Sequence, residues 1–500
     1  MSFRRAGQLA ATMLATLIGL SCGQVYRPVV IPCSAGQLPG CPIQQNPNPA
    51  NFHEVFAIST NVASFPGTAM QIDVSGDSVI AATSNDPSGA NVIGPNPTHA
   101  TILPNNSRLF VAVAGSLNPG MADNVAAFSP AFESTTATGF GMVSIFGLPT
   151  GSLPVFVHTT QNNAVYVANY GTNSVTALDA VSDTVGNTVT VGSQPVALAE
   201  IADGTKLYVV SQGDNTVRSL STVDLSTITT LTIGTAPVWA VARIDGQRIY
   251  VVTQGDGNLY TIRTDTDTVV GSPQPVGGPG ANYAIYDSGR NRLYVINPNV
   301  AAVFVFDATT DPPTPLGSAA GVSIPAPAVT GVGPVIPVSV AALPDGSRFY
   351  VASYVTATGA CPDTNTTATN CIIPQATVFD AASLTFKSSV FPLLSPATTG
   401  TQAFAVAPVT SCAPVTPYVP GATRFRLSSA AATDSSRVYV AMCDAGSVAV
   451  INTVTSANST GTTNATDNLV LDLNAPFSAS AAGSNGEPPS QNPIFLFTGQ

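Results

Sequence analysis

Lys206-Leu207-Tyr208-Val209-Val210 sets an aromatic among apolar neighbours on both faces of an extended run, as expected of a strand buried on both sides. The pattern recurs as Arg108-Leu109-Phe110-Val111, Ala164-Val165-Tyr166-Val167, Arg248-Ile249-Tyr250-Val251, Arg292-Leu293-Tyr294-Val295, Arg348-Phe349-Tyr350-Val351 and Arg437-Val438-Tyr439-Val440. The aromatic anchors therefore stand at 110, 166, 208, 250, 294, 350 and 439, with three successive steps of 42, 42 and 44 residues. A period in the low forties holding several short strands is the mark of a propeller blade.

Each unit reads alike. A Pro-Val strand comes first, as in Pro195-Val196-Ala197-Leu198-Ala199 or Pro237-Val238-Trp239-Ala240-Val241. A turn follows at Asp203-Gly204, Asp245-Gly246 or Asp345-Gly346, then the anchor strand. A third strand, such as Ser174-Val175-Thr176-Ala177-Leu178-Asp179, leads to a Thr/Val-rich fourth that ends near Gly192 or Gly234. Helical periodicity is absent here. Such a unit cannot bury its faces alone, so the expectation is an all-β chain folded as a closed β-propeller of four-stranded antiparallel blades. Seven blades are expected, with eight as the alternative. Ser75-Gly76-Asp77-Ser78-Val79-Ile80 reads as an eighth anchor with Ile80 in the aromatic's place, but it lies only 30 residues before Phe110. Strands from the far terminus would have to complete that blade, and Pro493-Ile494-Phe495-Leu496-Phe497 is the candidate closing strand.

Tyr166-Val167-Ala168-Asn169-Tyr170-Gly171-Thr172-Asn173-Ser174-Val175 closely resembles the signature of the YVTN family of β-propeller repeats. The resemblance is specific over residues 155–310 and looser outside them. It implies a secreted or surface protein of bacterial or archaeal type.

The N-terminus supports export. Arg4 and Arg5 precede an apolar stretch from Ala10 to Leu20, too short for a comfortable membrane span. Gly19-Leu20-Ser21-Cys22-Gly23 resembles a lipobox, which makes residues 1–21 a signal peptide and Cys22 the lipidated first residue. Residues 22–50 form a Pro-rich tether, and 51–500 the propeller, with insertions near 355–375 and 392–426. The chain has seven cysteines, so lipidation of Cys22 leaves six. Proximity pairs them Cys33–Cys41, Cys361–Cys371 and Cys412–Cys443, among 15 arithmetically allowed connectivities. The cysteines show no C-x-x-C spacing with a nearby histidine, so no metal site is expected.

Composition limits function. A net charge of -11 with 9% charged residues excludes nucleic acid, which needs clustered Lys and Arg. Three histidines, His53, His99 and His158, and the absence of nucleophile elbows, phosphate loops or H-E-x-x-H leave no catalytic residue or cofactor site evident. Asp179, Asp307 and Asp380 recur at strand ends and are expected to form turns. One column varies where a purely structural position should repeat. Eleven residues before each anchor stand His99, Val155, Ala197, Trp239, Tyr283, Ser339 and Ser428. Trp239, Tyr283 and His99 are therefore candidates for a pocket at the channel, against the plainer reading that they fill space between blades. The functional expectation is a lipid-anchored, non-enzymatic envelope scaffold for a protein or carbohydrate partner. The alternatives are a lactonase-like or quinoprotein-like enzyme, and an adhesin or carbohydrate-binding protein.

Overall fold

A computed structural model describes residues 54–499, apart from 62–65, 75, 84–91, 131–140, 161–163, 364–366, 395–402, 455, 458–462, 465 and 475–491. It is all-β, with eight sheets of four or five antiparallel strands and a further two-strand ribbon. In seven sheets the strands follow chain order from the axis outward, as in Pro195–Glu200, Lys206–Ser211, Thr216–Ser221 and Thr227–Thr232. The eighth mixes the two ends of the chain. Asn492–Thr498 is its innermost strand, followed by Glu54–Thr60, Thr68–Asp73 and Ser78–Ala82. Numbering this sheet blade 1, innermost strands touch in sequence from blade 1 through blade 8 and back to blade 1, so the ring is closed.

The expected count of seven blades is thus corrected to eight. The anchor of blade 1 is Phe56, fully buried and paired through Glu54–Thr60 with the closing strand. Ile80 is no anchor; it lies on the outer strand, Ser78–Ala82. Because the C-terminal strand supplies the innermost position, the N-terminal segment needs only three strands. The closing strand itself lies where the sequence placed it, with Phe495 opposite Ile58 and Phe497 opposite Phe56.

Burial follows the strand order. The anchor-strand aromatics Phe56, Phe110, Tyr208, Tyr250, Tyr294, Tyr350 and Tyr439 are among the largest fully buried side chains. Outer strands meet water, which is why the outer strand of blade 3, Thr184–Thr190, can be largely Thr, Gly and Asn. The Asp-Gly turns behave as read, with positive φ at Gly204, Gly246 and Gly346, which a residue without Cβ adopts cheaply. Asp179, Asp307 and Asp380 each accept backbone N–H bonds within their own turns, from Val181, Thr309 and Ala382 among others.

A second repeat holds blade to blade. Two residues before most anchors stands Arg or Lys, which reaches the turn between the third and outer strands of the next blade. Arg108 meets Asp183 at 2.5 Å and Lys206 meets Asp267 at 2.8 Å. Arg248 pairs with Asp311 and Arg348 with Asp467, while Arg292 donates to the Ala381 carbonyl. At the seam, Arg437 of blade 8 grips Asp77 of blade 1 at 2.9 Å, with side chains 15% and 10% exposed. Burial raises the Asp77 carboxyl above its ordinary value despite the guanidinium beside it.

Removing one partner of this nearly buried pair leaves the other charge stranded. Arg437→Met should therefore cost about 3–5 kcal/mol. In a double-mutant cycle with Asp77→Asn, measured by denaturant unfolding, the joint loss should be smaller than the sum of the single losses.

Candidate functional site

The innermost strands begin at the end of the channel called here the upper mouth and end, at the Asp-Gly turns, at the lower mouth. Near the upper mouth six blades share a Pro, then a bulged residue, then a side chain facing the hub. The pattern is seen at Pro97/His99, Pro154/Phe156, Pro195/Ala197, Pro237/Trp239, Pro337/Ser339 and Pro493/Phe495. Tyr283 and Ser428 take the same register opposite Ile296 and Ala441. This corrects one member of the variable column: Phe156, not Val155, stands level with His99. Blade 3 has one residue fewer between that level and its anchor, and counting back a fixed eleven lands on the bulge.

The hub side chains pack on one another. His99 stacks on Phe156 with centroids 3.9 Å apart and lies 4.4 Å from Phe495. Phe156 reaches Trp239 edge-on at 5.6 Å, past the small Ala197. Trp239 meets Tyr283 at 5.1 Å, and its indole N–H donates to the Ala284 carbonyl at 3.0 Å. The structure thus brings Trp239 and Tyr283 together, while His99 joins them through Phe156. Burial, then the charges of Arg424 and His158, hold His99 well below the ordinary imidazole value. The Val157 N–H points at its Nδ1 from 3.4 Å, which leaves the proton of the neutral ring on Nε2.

Within the insertion at 392–426, the described residues 403–426 close the upper mouth. Its Phe425 wedges between Trp239 and Tyr283, with centroids 5.6 and 5.0 Å away. Tyr418 accepts at its carbonyl from Gln212 Nε2 at 2.7 Å. Arg424 lies over the Tyr418 ring at 4.2 Å, and Arg426 pairs with Asp444 at 3.0 Å. This plug is fastened twice. The Cys412–Cys443 disulfide ties it to blade 8. The long hairpin of blade 7, Arg348–Thr358 with Asn370–Asp380, carries the Cys361–Cys371 disulfide and pairs Ile372 with Val406. Both disulfides match the proximity pairing; Cys22 and Cys33–Cys41 lie outside the described residues.

The lower mouth holds a feature that the sequence reading passed over. His158, two residues along its strand from Phe156, places Nε2 3.4 Å from Glu200 Oε2 of blade 4. The imidazole is 30% exposed and the carboxylate 8% exposed, so an open base is backed by a nearly buried acid. Burial, then the Glu200 charge, pushes the Tyr166 hydroxyl up to about 12. Among the described residues no group of three or more His, Cys, Asp or Glu side chains is placed to hold a metal.

No family model matches this chain, and neither does any curated protein. Many solved structures share its fold. Dihydro-haem d1 dehydrogenase NirN aligns over 89% of this chain and 79% of its own, at 13% identity and a TM-score of 0.50. The periplasmic gluconolactonase PpgL of Pseudomonas aeruginosa aligns over 68% of this chain and 95% of its own, at 15% identity and 0.47. Hydrazine synthase of Kuenenia stuttgartiensis covers 64% and 80%, at 15% and 0.42. These likenesses are of fold. The expectation of a non-enzymatic scaffold is nonetheless corrected. The fold shared with NirN is one that an enzyme uses. Four titratable groups, His99, His158, Glu200 and Arg424, lie at the hub or on the innermost strands.

Two outcomes follow from the hub. Trp239→Ala should destabilise the fold by about 3–5 kcal/mol in denaturant unfolding, because the plug and two blades pack on that ring. His99 is neutral when folded, whereas in the unfolded chain it takes up a proton near pH 6.5. Its contribution to stability is therefore full above that pH and is lost as pH falls below it, by up to about 1.4 kcal/mol per unit. His99→Phe should reduce the drop in unfolding free energy between pH 7 and pH 5.5 relative to the parent.

Proposed function

We propose that the protein is a hydrolytic propeller enzyme of lactonase-like type, acting at the lower mouth on small lactones or esters. The observation that carries this reading is the His158–Glu200 pair, at 3.4 Å, on the channel wall where blades 3 and 4 meet. Neutral His158 would take a proton from a water attacking the substrate carbonyl, and the Glu200 carboxylate beside it would hold the ring and steady the imidazolium that forms. The same proton then goes to the leaving alkoxide, so the histidine ends the cycle neutral. The quinoprotein-like alternative has less support, since docking a flat cofactor at the hub would have to displace Phe425 from between Trp239 and Tyr283.

The chain's setting belongs to the same proposal. The YVTN-like repeats, the signal-like segment at 1–21, the lipobox-like Cys22 and the Pro-rich stretch at 22–50 support a setting outside the cytoplasm on a membrane anchor. Mass spectrometry of the mature N-terminus should find diacylglyceryl-cysteine at Cys22.

The catalytic reading is tested by following acid release from glucono-δ-lactone and from short-chain esters. Turnover by the purified protein should fall about 10²–10⁴-fold in His158→Ala and substantially in Glu200→Gln. A folded protein that hydrolyses nothing in the panel, or a His158→Ala variant as active as the parent, removes the assignment.

A further inference from the structure

Two residues along each innermost strand from the hub, towards the lower mouth, a second ring stands opposite the anchor aromatics. In blade 3 its member is His158, opposite Tyr166. Blades 2, 5 and 6 supply Thr101 opposite Phe110, Val241 opposite Tyr250 and Ile285 opposite Tyr294. Blades 8 and 1 supply Ala430 opposite Tyr439 and Phe497 opposite Phe56. All six are half-buried although their strands are the innermost of the fold, so the solvent that reaches them is that of the channel. Ala199 and Ala341 complete the ring in blades 4 and 7. His158 is therefore its one titratable side chain, and the one hydroxyl, Thr101 Oγ1, is already bonded to Thr159 Oγ1 at 3.1 Å. Above this ring, two residues of strand or about 7 Å away, the stacked hub of His99, Phe156 and Phe495 closes the way. The arginine at the lower end of the blade 5 strand, Arg243, is engaged by Asp245 and the Ala308 carbonyl.

We propose that the substrate at this mouth is an alkyl-substituted lactone, an uncharged cyclic ester with a hydrocarbon tail, and neither a sugar lactone nor a phosphorylated one. The inference rests on the hydrolytic reading of His158 and Glu200, and names the class of substrate for that site. A hydrocarbon tail leaves water for walls of Val241, Ile285, Ala430 and Phe497, which is favourable. Each hydroxyl of a sugar ring would exchange water for walls that return no hydrogen bond, and a phosphate would enter with no free cation to meet it. The reaction needs no further reactant than water. Its oxygen bonds to the ring carbonyl carbon while His158 takes its proton, the bond from that carbon to the ring oxygen breaks, and the proton passes to the ring oxygen. The product is an open-chain hydroxy acid.

Acid release is followed from γ-butyrolactone, γ-octalactone, glucono-δ-lactone and phosphogluconolactone, each corrected for uncatalysed hydrolysis. The parent protein should show kcat/KM for γ-octalactone about tenfold or more above that for either γ-butyrolactone or glucono-δ-lactone, and no turnover of the phosphate. In Val241→Asn and in Ala430→Asn the ratio of kcat/KM for γ-octalactone to that for glucono-δ-lactone should fall about tenfold. Two positions are used so that one misfolded variant leaves the other to decide. A parent that prefers either sugar lactone, with His158→Ala inactive, overturns the substrate class and leaves the hydrolytic reading standing. An unchanged ratio in the folded ring variants also overturns it. Folded protein that turns over none of the four overturns both.

Discussion

The antiparallel pairing of Asn492–Thr498 with Glu54–Thr60 is the contact on which the rest of this structure depends. Without it, the N-terminal sheet would lack its innermost strand, and the hub would lose Phe495 from beside His99. Seven other blades could each form locally, since their strands are contiguous in sequence. Only this pairing converts a row of sheets into a ring. The Arg437–Asp77 pair lies on the same seam, so the place where chain ends meet is held by backbone bonds and by a charge pair. A linear stack would leave two apolar blade faces in water, whereas closure buries both and makes the array one cooperative unit.

Most of the fold was legible because a repeat multiplies a weak signal. One Tyr-Val strand means little; seven such anchors, four of them spaced by 42, 42 and 44 residues, mean a propeller. The blade count failed at the one unit that departs from the pattern. Glu54-Val55-Phe56-Ala57 lacks the Val after its aromatic, and its step to Phe110 is 54 residues, so the better-looking Ser75–Ile80 segment took its place. Asp77 in that segment is a latch for blade 8 instead. The latch itself was visible in outline, since Arg or Lys precedes six of the seven quoted anchors. Its acidic partners lie one blade away at irregular separations, and only the packing of neighbouring blades reveals them.

The candidate sites were legible only in part, for the opposite reason. Function tends to reside where a repeat breaks, and a single break is hard to tell from drift. The hub column did show through, at the cost of one misplaced residue. His158 and Glu200 occupy levels where most other blades carry Ala, Val or Ile, and comparing blades at those two levels would have singled them out. Arg424 and Phe425 belong to an insertion with no counterpart in other blades. No internal comparison reaches them, and only the disulfide at Cys412 hinted that this segment is folded back upon the ring. The resulting division gives the two mouths different characters. The upper is filled by aromatic packing around Arg424, the lower by an accessible histidine backed by a carboxylate.

Amide hydrogen exchange along Glu54–Thr60, compared between the full chain and one ending at residue 491, tests the ring closure most directly. The account predicts protection in the full chain equal to that of anchor strands such as Lys206–Ser211, and its collapse in the shortened one. Equal protection with and without the terminal strand would contradict it.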